Sequence, residues 1–262
     1  MSIDRSQRIT FEAVADIYNE ARPRYPDAVF DDLIRLSGIP PGGRILEIGP
    51  GPGVATLPLA RRGYQILAIE LGERLAALAA KACLPYPKVQ ILQKTFEEWE
   101  VEEDAFDLVM AADAFHWIEP ELGYPKAAQA LKPAGSALFF WTLSVDPDTP
   151  WSREIDELYQ AIDPKLQNPD KGVTLDWLTP IIEANFANSG CFGPVTVRQH
   201  RWMETLTTDQ IIKRLQTYSV HSTMAQGVRR RLYAGIQEIL DGAGGQVERT
   251  SVVALFHARV KP

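Results

Sequence analysis

The feature that most constrains the fold is an alternation of apolar and helical segments between residues 44 and 143. The apolar segments read RILEIG, YQILAIE, KVQILQ, FDLVMAA and SALFFWTL. Helical patterns such as VATLPLARRG, GERLAALAAKAC and ELGYPKAAQALKPAG join most of them, and an acidic stretch joins the third to the fourth. Strands connected in this way form a parallel sheet that is covered on both faces. The sequence therefore predicts an α/β fold with a doubly wound sheet.

Further helices and strands are predicted on both sides of this core. Apolar spacing predicts a helix over residues 11–20, and Arg-Pro and Tyr-Pro pairs separate it from a second helix at about 27–36. Later segments predict helices at about 151–162, 174–188, 207–217 and 223–241. Strands are predicted near 194–203 and at the closing segment SVVALFHARV.

These elements suggest four parts of one chain. They are cap helices at 1–40, a cofactor-binding core at 41–145, a helical insertion at 146–193, and the rest of the core at 194–262 with a second insertion at about 205–243. We expect both insertions to cover the sheet.

Composition excludes several classes of protein. The 262 residues include 34 acidic and 27 basic side chains, and the resulting net charge of −7 disfavours nucleic acid as a partner. Cys83 and Cys191 lie far apart in sequence without metal-binding spacing, so neither a disulfide framework nor a metal site is expected. No segment has the apolar length of a membrane span or a secretory leader. We expect a cytoplasmic protein that is a monomer or a homodimer.

A glycine-rich turn follows the first predicted strand, in the stretch ILEIGPGPGV at residues 45–54. Ligands bind to doubly wound sheets at the carboxyl ends of the strands, where the winding direction changes. Gly49, Gly51 and Gly53 would let the backbone approach a ligand closely, and a helix is expected from Val54 onward. A tight turn without a ligand is the simpler alternative, but three alternating glycines exceed what such a turn requires.

The spacing of this turn differs from the dinucleotide fingerprint G-x-G-x-x-G, because position 54 is valine. Glu47 also places a carboxylate beside the expected crevice, where it would repel a pyrophosphate and attract a cationic group. The second strand ends in Glu70, an acid that could accept hydrogen bonds from both hydroxyls of a ribose; the alternative is a solvent-facing helix cap. Together these residues favour a nucleoside with a cationic tail, as in S-adenosylmethionine.

The segment EIGPGPG with Glu70 resembles the first two motifs of class I S-adenosylmethionine-dependent methyltransferases. FDLVMAADAFHWI and ALKPAGSALFF resemble their fourth and fifth strands, and the likeness covers residues 11–143 and a terminal strand. The opening AVADIYNEARPRYP and the AFHW stretch are similar to a small-molecule subgroup that includes trans-aconitate-type methyltransferases. The resemblance implies a mostly parallel, seven-stranded Rossmann-like sheet whose last strand is antiparallel, with helical insertions forming a lid.

The resemblance implies a cofactor site in the first half of the chain. Its residues would be Tyr18, Arg22, Glu47, Gly49, Gly51, Gly53, Glu70, Leu71, Thr95, Phe96, Ala112 and Asp113. Glu47 would lie near the cofactor's ammonium group, directly or through water, and Glu70 would hold the ribose. Phe96 would pack on the adenine. Thr95 stands where the family commonly has an acid, which leaves open how the adenine amino group is recognised.

The acceptor side of the site is expected after the fourth strand. His116 is the candidate catalytic residue, either as a base or as a group that positions the acceptor, although a structural role is equally compatible with the sequence. His116, Trp117 and Tyr18 are the candidate substrate-binding residues. Tyr18 and Arg22, four apart on one helix, could cover the cofactor, and Arg22 could bind a carboxylate; an ordinary surface helix is the alternative.

The expected reaction is methyl transfer to a small organic molecule, which a carboxylic acid would suit, by direct in-line displacement. Two other functions remain open from the sequence. One is a noncatalytic module that binds the cofactor for sensing or scaffolding. The other is a nicotinamide-dependent oxidoreductase, against which Glu47 and Val54 argue.

Overall fold

The computed structural model describes residues 8, 11, 12, 14–21, 24–145, 148–164, 166, 168, 169, 171 and 173–262. The α-helices in this part of the chain are α1 (Ala15–Ala21), α2 (Asp27–Ser37), α3 (Thr56–Arg61), α4 (Glu73–Cys83), α5 (Pro120–Ala130), α6 (Pro150–Ile162), α7 (Leu175–Asn188), α8 (Thr208–Gln216), α9 (Ser219–Ser222) and α10 (Gln226–Gly242). The strands are β1 (Arg44–Ile48), β2 (Gln65–Glu70), β3 (Val89–Gln93), β4 (Phe106–Ala112), β5 (Leu131–Val145), β6 (Thr196–Thr207) and β7 (Gln246–Arg259).

The seven strands form one sheet in the order β3-β2-β1-β4-β5-β7-β6. The first five strands are parallel, and β7 runs antiparallel between β5 and β6. The chain winds from β1 outward to β3 and then returns to the other side of β1 with β4. The predicted doubly wound sheet with an antiparallel last strand is therefore confirmed, and its winding direction changes between β1 and β4.

Both faces of the sheet are buried because side chains alternate along each strand. On one face, Phe139 and Trp141 of β5 pack with apolar residues of α5 and α7. On the other, Leu138 and Phe140 pack with residues of α2 and α3. The continuous apolar runs of the central strands follow from this double coverage.

The connection into β5 differs from the prediction. The sequence predicts a helix that continues to Gly135, but α5 ends at Ala130 and β5 begins at Leu131. Pro133 disfavours helical geometry at the residue before it. The pairing of β4 with β5 shifts between Phe106–Leu131 and Leu108–Ser136, so residues 132–135 form a bulge. The helical prediction for residues 131–135 is wrong for this reason.

The helices predicted for residues 146–193 pack in two different places. Leu178, Ile182 and Phe186 of α7 belong to the cluster on the sheet. In contrast, α6 packs with α8 and α10 around a separate cluster that includes Leu232 and Ile236. We call α6, α8 and α10 the helical lobe.

A buried polar chain crosses the helical lobe. The Tyr159 hydroxyl lies 2.9 Å from His221 Nε2, and His221 Nδ1 lies 3.2 Å from the Tyr233 hydroxyl. Burial raises the pKa of Tyr233 to about 12, so this tyrosine stays neutral. The histidine and both hydroxyls therefore satisfy one another inside an apolar cluster.

The lobe contacts the opening helix of the chain. Helix α1 packs against α8, and Lys213 Nζ lies 3.0 Å from Glu20 Oε2 across this contact. Helix α1 in turn lies over the carboxyl ends of the central strands, where the ligand crevice is expected. None of the helices in the described part of the chain has the length and apolar character that a membrane span needs.

Candidate functional site

The glycine turn lies between β1 and α3 at the point where the winding direction changes. Gly49, Gly51 and Gly53 have φ values of 66°, 56° and 92°, a region that favours glycine. A Cβ atom added at Gly49 would lie 2.6 Å from Cβ of Ala114, so the turn also packs tightly against the segment after β4. The helix begins at Thr56, two residues later than predicted.

The three glycines differ in what they face. Gly49 and Gly51 line the cleft described below, and a Cβ on Gly51 would lie 3.8 Å from the Tyr18 ring. At Gly53 the same atom would meet Ala79 of α4 and Thr56, at 3.7–3.8 Å, and Gly53 does not line the cleft. Gly53 therefore borders α4 and not the cleft, and its φ of 92° is what favours glycine at this position.

Glu70 at the end of β2 braces the glycine turn. Its two carboxylate oxygens accept hydrogen bonds from the backbone N–H groups of Gly51, at 2.9 Å, and Gly72, at 2.8 Å. Burial raises the pKa of Glu70, and the hydrogen bonds from Gly72 and Gly51 partly offset this effect. Each oxygen retains a second acceptor position. The residue is thus suited to bind donor groups on a ligand while it holds the turn in place.

Glu47 lies beneath the turn and is fully buried, so it does not line the cleft. Neither carboxyl oxygen accepts a hydrogen bond of normal geometry within the described part of the chain, and the nearby Thr56 hydroxyl is also unsatisfied there. Burial raises the pKa of Glu47 to about 7, with Thr56 lowering it in part and the charge of Glu70 raising it. Glu47 is therefore separated from the space of the main cleft by the turn above it.

The main cleft opens above Glu70 and has a free volume of about 720 Å³, counted to its open mouth. Ten of the predicted site residues line it, namely Tyr18, Gly49, Gly51, Glu70, Leu71, Thr95, Phe96, Ala112, Asp113 and Trp117. They come from segments that are up to about a hundred residues apart in sequence. The parallel strand order brings them together at one edge of the sheet.

Thr95 and Phe96 form the wall of the cleft beyond β3. The Thr95 hydroxyl donates a hydrogen bond to Glu98 Oε2 at 2.8 Å and accepts one from the Glu98 N–H at 3.1 Å. Thr95 therefore stabilises its own turn, as a serine or threonine cap does. The Phe96 ring is stacked on Trp99 with centroids 6.0 Å apart.

Residues before α1 complete the cleft, and the sequence analysis did not assign them to it. The Phe11 ring makes edge contacts with Tyr18 and Trp117, each at a centroid distance of 5.7 Å. Arg8 lines the cleft as well and forms an ion pair with Glu97. The only sequence signal for this cap was the helical spacing of Phe11 and Tyr18. Arg22, a predicted cofactor ligand, lies outside the described residues.

Asp113 stands at the junction of the main cleft with a second one, whose free volume is about 430 Å³. Its φ of 52° is unusual for a residue with a side chain. Tyr25, Thr142 and the glycine turn border the second cleft. Tyr25 was not predicted as a site residue, because only the fold brings it to the end of β4.

His116 does not line either cleft, and it contacts Trp141 of β5 instead. The Trp141 Nε1–H donates a hydrogen bond to His116 Nδ1 at 3.0 Å. Because an indole nitrogen can only donate, Nδ1 must be the acceptor, and the neutral imidazole carries its proton on Nε2. In this tautomer His116 is a hydrogen-bond donor through Nε2. Action as a base would require the bond to Trp141 to break.

Comparison with known proteins shows that the chain is similar in sequence to proteins named as methyltransferases. The sequence profile of a methyltransferase-domain family matches residues 46–139, from β1 into β5. A protein of Mycobacterium tuberculosis strain H37Rv named as an uncharacterized methyltransferase is 27% identical over 82% of this chain and 88% of its own length. The ubiquinone biosynthesis O-methyltransferase of Hahella chejuensis is 28% identical over 56% of this chain and 64% of its own length.

Solved structures with the same fold are also methyltransferases by name. A candidate type II methyltransferase from Anaeromyxobacter dehalogenans has a TM-score of 0.66 and 22% identity, covering 92% of this chain and 99% of that one. Phosphoethanolamine N-methyltransferase 2 of Haemonchus contortus, solved with S-adenosylhomocysteine, has a TM-score of 0.55 and 18% identity, covering 96% of this chain and 57% of that one. At these identities the likeness concerns the fold.

Substitution of Glu47 by glutamine tests the buried carboxyl. A carboxyl whose pKa is raised on folding binds its proton more readily in the native state, so its contribution to stability falls as the pH rises from about 4.5 to about 7. Glu47→Gln mimics the protonated form. We expect it to raise the free energy of unfolding at pH 8 by roughly 3 kcal/mol relative to the natural chain, and by little at pH 4.5.

Chemical denaturation at several pH values measures this difference. Glu154→Gln, at an exposed position on α6, is the matched control and should show no such pH dependence. If the difference in the free energy of unfolding between Glu47→Gln and the natural chain stays constant from pH 4.5 to pH 8, Glu47 is not a buried carboxyl without a partner.

Proposed function

We propose that this chain is a class I S-adenosylmethionine-dependent methyltransferase, that it methylates a small organic molecule, and that the acceptor atom is a carboxylate oxygen. The observation that carries the proposal is the position of Glu70. Its buried carboxylate lies at the edge of the main cleft, between the glycine turn and the wall formed by Thr95 and Phe96. This is the arrangement in which an adenosyl group would be held by its ribose.

The residues present fit this cofactor. Gly51 leaves space on its cleft side that a larger side chain would fill, next to Tyr18. Glu70 retains acceptor positions for two hydroxyl groups. Leu71 and Phe96 supply apolar surface for a base, and the acids Glu70 and Asp113 favour a cationic ligand over a diphosphate. When bound, S-adenosylmethionine supplies a methyl group that is already activated by its sulfonium centre.

The protein itself must then align the acceptor with the methyl group, exclude water and stabilise the charged groups of the reactants. Phe11, Tyr18 and Trp117 form an aromatic cap over the cleft that would keep water from the reacting atoms. We propose that the helical lobe closes the acceptor side, because α8 packs against α1 next to this cap. The Thr95 hydroxyl already donates its hydrogen bond to Glu98. We therefore propose that the Thr95 hydroxyl does not recognise the adenine amino group.

The tautomer of His116 supports an organic acid as the acceptor. A carboxylate is ionised at neutral pH and needs no base before it attacks a methyl group. His116 does not line the main cleft, but its neighbour Trp117 does, and we propose that a bound acceptor meets the Nε2–H of His116. This donor suits a carboxylate oxygen, whereas an alcohol or an amine would require proton removal. Both cysteines are free thiols, which is consistent with the cytoplasmic location that we propose.

A methyl-transfer assay tests the function. The protein is incubated with S-adenosylmethionine labelled in its methyl group and with a pool of cell metabolites rich in organic acids. We expect label in a small product that releases volatile methanol on treatment with alkali, as a methyl ester does. Label in a product that resists alkali would reject the carboxylate, and no labelled product with any pool would reject the function.

Substitution of Glu70 by alanine tests the ribose contact. The variant should bind S-adenosylmethionine more weakly by about 1 to 3 kcal/mol, because charge-assisted hydrogen bonds to the hydroxyls are lost. Calorimetry measures the affinity. Glu73→Ala, at an exposed position on α4, is the matched control. Unchanged affinity in Glu70→Ala would remove Glu70 from the ribose site.

Substitutions of His116 test whether its side chain acts as a hydrogen-bond donor or as a base. His116→Ala should lower kcat by about tenfold, the value of one lost hydrogen bond, while cofactor affinity stays within about twofold. His116→Gln places an amide N–H near the former Nε2 position and should recover part of the rate, although glutamine cannot act as a base. An unchanged rate in His116→Ala, or no recovery in His116→Gln, would contradict the donor role.

A further inference from the structure

Asp113 is the first residue after β4, and it joins that strand to β5 through its side chain. Its backbone N–H bonds to the carbonyl of Phe140 at 2.9 Å, after which the chain leaves the sheet in the left-handed region. Oδ1 of the carboxylate accepts the N–H of Thr142 on β5 at 2.7 Å. The side chain thus takes the place of a backbone carbonyl in the hydrogen bonding between β4 and β5. A backbone conformation that costs free energy is thus stabilised by the bond that its own side chain makes.

Two further donors reach the same carboxylate. Oδ2 accepts hydrogen bonds from the Thr142 hydroxyl and from the Tyr25 hydroxyl, each at 2.9 Å. The donors to Asp113 in the described part of the chain are all neutral, and no cationic side chain there forms an ion pair with it. A carboxylate has about four acceptor positions, so one position on Oδ1 remains for a ligand.

The location of the carboxylate indicates which kind of ligand it meets. Asp113 lines both clefts, and Tyr25 and Thr142 line the second one beside Gly49 and Gly51. A half-buried carboxylate has lost part of its hydration, and hydrogen bonds from neutral donors only partly compensate for that loss. Asp113 therefore favours a ligand with a cationic group, which can form a stronger, charge-assisted hydrogen bond. The cofactor contains such a group in the ammonium of its methionine portion.

We propose that Tyr25 is a positioning residue for the cofactor, whose hydroxyl holds the Asp113 carboxylate where it receives the methionine ammonium group. This inference rests on the proposed function, since it requires S-adenosylmethionine in the cleft. The Tyr25 ring is fixed by edge contacts with Phe140, at 5.1 Å, and with Phe30, at 6.1 Å. Pro26 further restricts the backbone of the residue before it. The hydroxyl is therefore held in place before a ligand arrives.

The affinities of two ligands distinguish a positioning role of Tyr25 from a purely structural one. S-adenosylhomocysteine carries the amino and carboxyl groups of the methionine portion, and 5′-methylthioadenosine has the same adenosine and thioether without them. In Tyr25→Phe we expect the Kd for S-adenosylhomocysteine to rise about tenfold, since one hydrogen bond to the charged acceptor is lost. The Kd for 5′-methylthioadenosine should change by less than about twofold. Calorimetry measures both values.

Matched variants complete the experiment. Tyr64→Phe removes a hydroxyl from the same apolar cluster away from the clefts and should affect neither ligand. Thr142→Val removes another donor to Asp113 and should reproduce the selective loss if Tyr25→Phe does not fold. Asp113→Asn removes the charge and should weaken S-adenosylhomocysteine binding at least as much as Tyr25→Phe does.

Equal losses for the two ligands in Tyr25→Phe would overturn the proposal, and so would unchanged affinity for S-adenosylhomocysteine. Failure of cofactor binding, which the proposed function requires, gives a different result, because the natural chain itself would then bind neither ligand. Failure of methyl transfer alone is detected in the assay with labelled cofactor and leaves the comparison of the two ligands unaffected. Selective loss in Tyr25→Phe and Thr142→Val, with Tyr64→Phe unaffected, supports the positioning role.

Discussion

The carboxylate of Glu70 joins the end of β2 to the glycine turn after β1 through the N–H groups of Gly51 and Gly72. The rest of the site depends on this link. It fixes a turn whose residues have positive φ values and it orients an acid at the edge of the cleft. Since hydrogen bonds offset part of the cost of burying a carboxylate, the same two bonds that shape the turn also stabilise Glu70 in its buried position.

Acidic groups surround the place where the ligand is proposed to lie, and they differ in their hydrogen-bond and ion-pair partners. Glu70 accepts backbone N–H groups, and Asp113 accepts neutral donors from Tyr25 and Thr142. Glu47 has no hydrogen-bonded partner of normal geometry in the described part of the chain, and burial raises its pKa to about 7. Glu97, by contrast, is paired with Arg8. The acids near the glycine turn thus favour a cationic ligand, in accord with the sulfonium and ammonium groups of the proposed cofactor.

The proposed acceptor side is built from parts of the chain that are distant in sequence. The cap before α1 contacts Trp117 after β4, and α8 of the helical lobe packs against α1. His116 is linked to β5 by its hydrogen bond with Trp141. A change of acceptor between related enzymes could therefore arise in the cap or the lobe, while the sheet and the glycine turn stay the same.

The sequence by itself determined the order of strands and helices, the glycine turn and most of the residues that line the main cleft. The element order and the glycine turn depend on local periodicity and on glycine's freedom to adopt positive φ, which neighbouring residues reveal. Most of the cleft residues were predicted because the sequence resembles a methyltransferase family. Only the tertiary structure decided that Glu47 and Gly53 do not line the cleft, that His116 accepts a hydrogen bond from Trp141, and that Tyr25 donates one to Asp113. Those facts depend on side-chain directions and on contacts between distant segments, and a linear pattern carries no information on how such segments meet.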